Sequence, residues 1–218
     1  MDTRPQSREP VVLVHGLWLA GWVLAILAVR LRRCGYDARI FSYPSMGASL
    51  SANAAALARF AVSLGTPRVH FVGHSMGGLV ILKALKANPG LGCGRVVLLG
   101  SPSSGSRSAE TLARAGAGRV ILGHSMMEWL RGPRTKPENY ELGVVSGCRR
   151  IGLGRLVTRL PEPNDGVVME SEARVPGMTD FISLRVSHTE MLWSRKVAHQ
   201  VCSFLQGGRF DHREAPLS

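Results

Sequence analysis

A serine bracketed by glycines, Gly73-His74-Ser75-Met76-Gly77 followed by Gly78, is the first feature that could do chemistry. A serine hydroxyl is a weak nucleophile until a base takes its proton, so the motif has meaning only in a setting that activates it. Here it lies between an apolar run, Val69 to Val72, and a helical pattern from Leu79 to Ala87. A tight strand-to-helix turn of this kind lifts the serine Oγ above the sheet edge. It also aims the backbone N–H of Met76 and the helix N-terminus at a reacting carbonyl oxygen. Bulky side chains two residues away would block the turn, which accounts for the glycines. The implied chemistry is acyl transfer through Ser75. The letters Gly-His-Ser-Met recur at Gly123 to Met126, but without the closing glycine and after only a short Val120-Ile121-Leu122 run. Ser125 is therefore read as a decoy.

Such a serine needs a base and a group that orients the base. Of seven histidines, only His188 falls just after a late strand pattern, Asp180 to Val186, and just before a helix. That position sets it on a loop at the same carboxyl edge from which Ser75 emerges. His15, His70, His74, His124, His199 and His212 lie in an N-terminal loop, a strand, the serine turn, an irregular middle segment, a helix and the tail. For the orienting acid, Asp165 in Pro163-Asn164-Asp165-Gly166-Val167-Val168 is favoured, because this turn has room to return to the sheet edge before His188. Asn-Asp-Gly also favours turns for conformational reasons alone. Glu162 is the nearest substitute, with Glu128, Glu170, Glu172 and Asp180 further alternatives. A second oxyanion donor is expected from the backbone N–H of Leu17, because the first strand ends in Val14-His15-Gly16-Leu17-Trp18 and Gly16 leaves space for a carbonyl. Trp18, Trp22, Met126, Met127 and Trp129 offer apolar surface suited to an acyl chain, or simple packing.

The elements that would hold these residues alternate short β-branched runs with helical patterns, the signature of parallel strands joined by crossover helices. Strands are predicted at 11–14, 38–43, 68–73, 95–99, 142–148 and 180–186. Helices are predicted at 22–34, 49–64 (Ser49 or Ser51 as N-cap), 78–87 and 190–205, with a loose tail from Gly207. This gives an α/β fold with a mostly parallel sheet of about six strands and helices on both faces. A single domain over 1–218 suits the length, with 103–140 as a small cap or insertion, since loops this long usually serve a function.

Composition adds boundaries rather than identity. Hydrophobic residues make up 45% and charged residues 19%, as in a folded globular chain. The net charge of +12 could draw the protein to an anionic membrane surface in transient contact, although the arginines form no dense run with interleaved aromatics, so no nucleic acid is expected. The four cysteines fit no zinc or redox spacing and are read as buried free thiols, compatible with a reducing compartment. The run Val11 to Val29 is nearly apolar enough for a membrane span. His15, Gly16 and Gly21 interrupt it, and it divides into strand, loop and helix. It is read as buried core, and the chain as cytoplasmic.

These pieces together resemble the α/β-hydrolase superfamily, and within it the small bacterial lipases and esterases. The matching segments are His15-Gly16-Leu17-Trp18, Gly73 to Gly78, Gly100-Ser101-Pro102, Asn164 to Val168 and Ser187-His188-Thr189, in nucleophile–acid–histidine order. The resemblance implies a minimal α/β-hydrolase fold, a triad of Ser75, Asp165 and His188, and oxyanion donors at Leu17 and Met76. It implies hydrolysis of a small-molecule or lipid ester, with no cofactor, no metal and no obligate partner. Thioesterase, amidase or acyltransferase chemistry on the same triad would look alike at this level. So would a non-catalytic relative that binds anionic lipid or a partner.

Overall fold

The computed structural model describes residues 8–115, 117–134, 139–151, 160 and 163–214. Six parallel strands form one sheet: β1 (Pro10–Val14), β2 (Asp37–Phe41), β3 (Val69–His74), β4 (Cys93–Leu99), β5 (Glu141–Gly147) and β6 (Asp180–Leu184), in the order β2-β1-β3-β4-β5-β6. Every residue of β1 and β3 is buried. A parallel sheet covered on both faces requires this, and it explains why these strands read as continuous apolar runs rather than alternating ones.

Alternate side chains of each strand enter two different cores. Val11 and Leu13 of β1 join Val97 and Leu99 of β4 beneath α1 (Ala25–Arg33) and a C-terminal helix at Arg195–Gly207. Val12 and Val14 point the other way, joining Phe71, Val96 and Leu98 under α2 (Leu50–Ser63) and α3 (Met76–Ala87). Ser49 caps α2, its hydroxyl accepting the Ala52 N–H at 3.1 Å; Ser51 instead bonds Glu128. The irregular middle forms α4 (Arg107–Arg114) and α5 (Gly118–Arg131), which pack on each other and, through α5, on α2. One turn, α6 (Glu170–Ala173), follows the Asp165 loop, and the C-terminal helix is α7.

The chain leaves β1 for β2 on one side and returns to β3 on the other. The loops after β1 and β3 therefore part at the sheet's switch point, the crevice where open α/β sheets bind ligands.

Two expectations are corrected. Cys34 and Cys202 are not free thiols but form a disulfide joining the end of α1 to α7, while Cys93 and Cys148 are free. Both partners sit on the same sheet face, which the spacing of 168 residues gave no means to see. The tail is also docked rather than loose through Asp211. Phe210 is buried against Phe204, and its N–H donates to Asp180 at 2.8 Å.

Because the disulfide closes so long a loop, its reduction or the Cys34→Ser/Cys202→Ser change should cost about 2–5 kcal/mol, read as a lower thermal midpoint. Alkylation followed by mass spectrometry should count two modified cysteines before reduction and all four after it.

Candidate active site

Ser75 stands between β3 and α3 with φ 54 and ψ −125, a conformation non-glycine residues avoid at a cost of order 1–3 kcal/mol. Its surroundings hold it there. The Ser75 N–H donates to Leu99 O at 2.9 Å, and the Gly78 N–H returns to Ser75 O at 3.1 Å. A Cβ on Gly77 would come within 2.2 Å of Val14 O, and one on Gly73 within 2.6 Å of the Gly78 backbone. The glycines thus permit contact between backbones that no side chain would allow. Ser75 remains partly accessible while its neighbours are buried. As the first residue of α3, Met76 carries a backbone N–H with no intrahelical acceptor.

The loop after β1 lies against this turn, since a Cβ on Gly16 would meet the Ser75 Cβ at 2.9 Å. The fully buried His15 fixes its shape. Its Nε2 accepts the Tyr43 N–H at 3.2 Å, so the proton resides on Nδ1, which donates to Gly16 O at 2.9 Å. Tyr43 stacks on the ring at 4.4 Å and donates its hydroxyl to His15 O at 2.8 Å. Burial lowers the His15 pKa, against the opposing effect of the bond to Gly16. With the Gly16 carbonyl held, the Leu17 N–H points to the other side of the planar trans peptide. Leu17 lines the cavity beside Ser75, and among the described residues its N–H donates to no acceptor. Sequence reasoning placed His15 only as a loop residue. The stacking partner that gives it this task comes from the end of β2, a pairing without a sequence signal.

His188 and Asp165 meet at the same edge. His188 Nδ1 lies 2.7 Å from Asp165 Oδ2, and the His188 N–H donates to Asp165 O at 2.9 Å. The other carboxylate oxygen accepts the N–H groups of Val167 and Val168 at 2.9 and 2.8 Å. Asp165 is 1% exposed, so the Asn-Asp-Gly turn has wrapped a buried carboxylate in donors. His188 and Ser75 both face a cavity of about 230 Å³. No direct Ser75–His188 hydrogen bond forms among the described residues, and such bonds are often long before substrate binds.

The competing residues are engaged elsewhere. Asp180 opens β6 at the far edge, bonded to Phe210 and His212. Glu128 holds Ser51, Glu170 pairs with Arg174, and Glu172 accepts the Arg107 and Met169 N–H groups. Glu162 lies outside the described residues. Ser125 is buried and linked to Asn53 and Ala48 at 2.9 Å, two residues past the kink of α5 at Gly123 (φ 66).

Of the expected acyl-chain surface, Trp18 and Met126 line the cavity, joined by Leu112, Leu122 and Val168. Met127, Trp129 and Trp22 do not. Trp129 is buried in the core beneath Arg134, Met127 packs beside it, and Trp22 faces outward. The helical stripe of Met126, Met127 and Trp129 could not say which of its members turned toward the loop of Ser75.

His74 is an uncommon neighbour. It is 2% exposed, its Nε2–H donates to the His188 carbonyl at 3.0 Å, and its Nδ1 has no partner among the described residues. Burial first, and then the adjacent His188, push its pKa down to about 3.

This sheet, with a serine turn at its switch point, defines an α/β-hydrolase. The sequence of residues 11–201 matches the alpha/beta hydrolase family, and the chain belongs to that family. Among solved structures it resembles a Bacillus licheniformis lipase in its mature form, at 22% identity and a TM-score of 0.70 over 94% of each chain. It is also similar to a metagenomic carboxyl esterase (21% identity, TM-score 0.62, covering 86% of this chain and 68% of that one). A Bacillus subtilis carboxylesterase gives 15% identity and a TM-score of 0.60, over 93% of this chain and 85% of the other. Among curated proteins no relative matches.

Two outcomes follow from this packing. Gly77→Ala should destabilise by about 1–3 kcal/mol or more, since its Cβ would strike backbone; denaturant unfolding reads this. His74 should make stability fall with acid. The unfolded chain binds its proton near pH 6.5 and the folded chain only near 3. The neutral ring's contribution is therefore complete above pH 6.5 and is lost as pH drops toward 3. In His74→Gln, unfolding measured across that window should show a shallower loss.

Proposed function

We propose that this hydrolase cleaves carboxylic esters through an acyl-enzyme on Ser75. The observation that carries the reading is the buried Asp165–His188 pair, 2.7 Å apart, facing the same cavity as a serine held at φ 54. His188 takes the Ser75 proton as Oγ attacks the ester carbonyl, and the Leu17 and Met76 amides stabilise the tetrahedral oxyanion. The imidazolium then protonates the leaving alcohol. Water, deprotonated by the same histidine, adds to the acyl carbonyl and releases the acid and free Ser75. Asp165 holds the ring in its productive tautomer and stabilises the imidazolium.

The lipase and esterase neighbours support an ester over an amide. The aliphatic lining from Leu112, Leu122, Met126 and Val168 supports an apolar acyl group. For location, the Cys34–Cys202 bond favours an oxidising compartment over the cytoplasm read from the sequence.

With p-nitrophenyl esters as substrates, Ser75→Ala should lower kcat at least about 1,000-fold, and Asp165→Asn by about 10,000-fold, because the asparagine favours the wrong tautomer. Ser125→Ala should retain activity. An active Ser75→Ala protein would overturn the assignment.

A further inference from the structure

The apolar run Val11 to Val29 is only partly absorbed by the core. In its helical part Leu24, Leu27 and Ala28 are buried against the sheet, whereas Trp22, Ile26 and Val29 face outward at 77%, 51% and 43% exposure. Ile26 and Val29 lie three residues apart on the outer side of α1, and Trp22 stands just before them in the 3-10 turn Gly21–Leu24 that leads into the helix. A helix apolar on both sides is ordinarily covered on both. Among the described residues only one side of α1 is covered. Trp193, 47% exposed, adjoins the outer side because the Arg30 guanidinium donates to its carbonyl. With Trp18, 53% exposed at the cavity, three of the four tryptophans lie open to solvent. Two of them belong to the loops that present Leu17 and His188.

Charge indicates what covers this face. Between Pro10 and Tyr36 the chain has no Asp or Glu, yet Arg30, Arg32 and Arg33 close α1, and Arg195 and Lys196 open α7 just after Trp193. None of these cations has an acidic partner among the described residues. A second copy would bring like charges together, each chain carrying +12. A nucleic acid would satisfy the arginines but not the aliphatic side chains. An anionic bilayer satisfies both, taking Ile26 and Val29 among its acyl chains, tryptophan rings at the headgroup level and arginines against phosphate.

We infer that the outer face of α1, with Trp193 and its flanking cations, docks on an anionic phospholipid bilayer and sets the cavity mouth at the lipid surface. The docking does not rest on the hydrolase reading; delivery of a lipid ester to Ser75 does.

Sedimentation of the full chain with phosphatidylcholine vesicles, with and without phosphatidylglycerol, tests this. Binding should be at least about tenfold tighter to the phosphatidylglycerol vesicles and should fall as salt rises. Trp22→Ser with Ile26→Ser should weaken it about tenfold or more, and Arg33→Gln with Lys196→Gln about fivefold per charge. Neither pair should slow turnover of a water-soluble ester. Unchanged vesicle binding in Trp22→Ser/Ile26→Ser, or equal binding to both vesicle types, would overturn the inference. So would a dimer in light scattering that the same substitutions dissolve, which would assign the face to a second copy. Vesicle binding without turnover of any ester would sink the hydrolase reading and leave the docking face standing.

Discussion

The contact on which the rest of the site depends is between two stretches of backbone. The start of α3 rides so close to the end of β1 that a Cβ on Gly77 would lie 2.2 Å from Val14 O and 2.5 Å from His15 O. That approach is open only to glycine. It presses the loop after β1 against the loop after β3, the two that diverge at the switch point, and so sets Leu17 beside Ser75 at one cavity. Other features secure the arrangement. The Leu99 carbonyl holds Ser75 in its strained conformation, and Tyr43 holds His15, which holds Gly16. Oxyanion donors are effective when they are aimed before charge develops, and in the proposed reaction these two tethers would aim the Leu17 and Met76 amides.

On the opposite side of Ser75, electrostatics rather than packing sets the geometry. A buried carboxylate is costly unless its lone pairs are filled. Asp165 fills them with two backbone amides and one imidazole N–H, which directs the ring of His188 by default. His74 reinforces the same loop from beneath at the expense of one unpartnered nitrogen, a cost of order 1–3 kcal/mol. Residues of the proposed active site thus carry local strain, in the backbone of Ser75 and the ring of His74, that the apolar cores on both sheet faces must sustain.

Much of the fold was legible because its determinants are local. Apolar runs a few residues long between glycines and helical patterns specify parallel strands, and all six were found within a few residues of their predicted places. Ser75, Asp165 and His188 could be singled out because each follows a strand, and strand ends in a parallel sheet share one edge. What escaped depends on contacts between distant segments. The Cys34–Cys202 bond, the Tyr43–His15 stack and the docking of Phe210 join residues whose proximity appears only once the crossovers are placed. The run Val11 to Val29 was ambiguous for a physical reason. Its strand is core, but its helix is apolar on the solvent side too, and hydropathy cannot tell a second buried face from an exposed one.

The central claim is that Ser75 is the residue that becomes acylated. The most direct measurement is covalent labelling with a fluorophosphonate, followed by peptide mapping of the modified residue. The account predicts a single adduct on the peptide carrying Gly73 to Gly77, formed at Ser75, with none at Ser125 and greatly slowed labelling in His188→Ala. A folded protein that takes up no label, or one labelled at another serine, would contradict it.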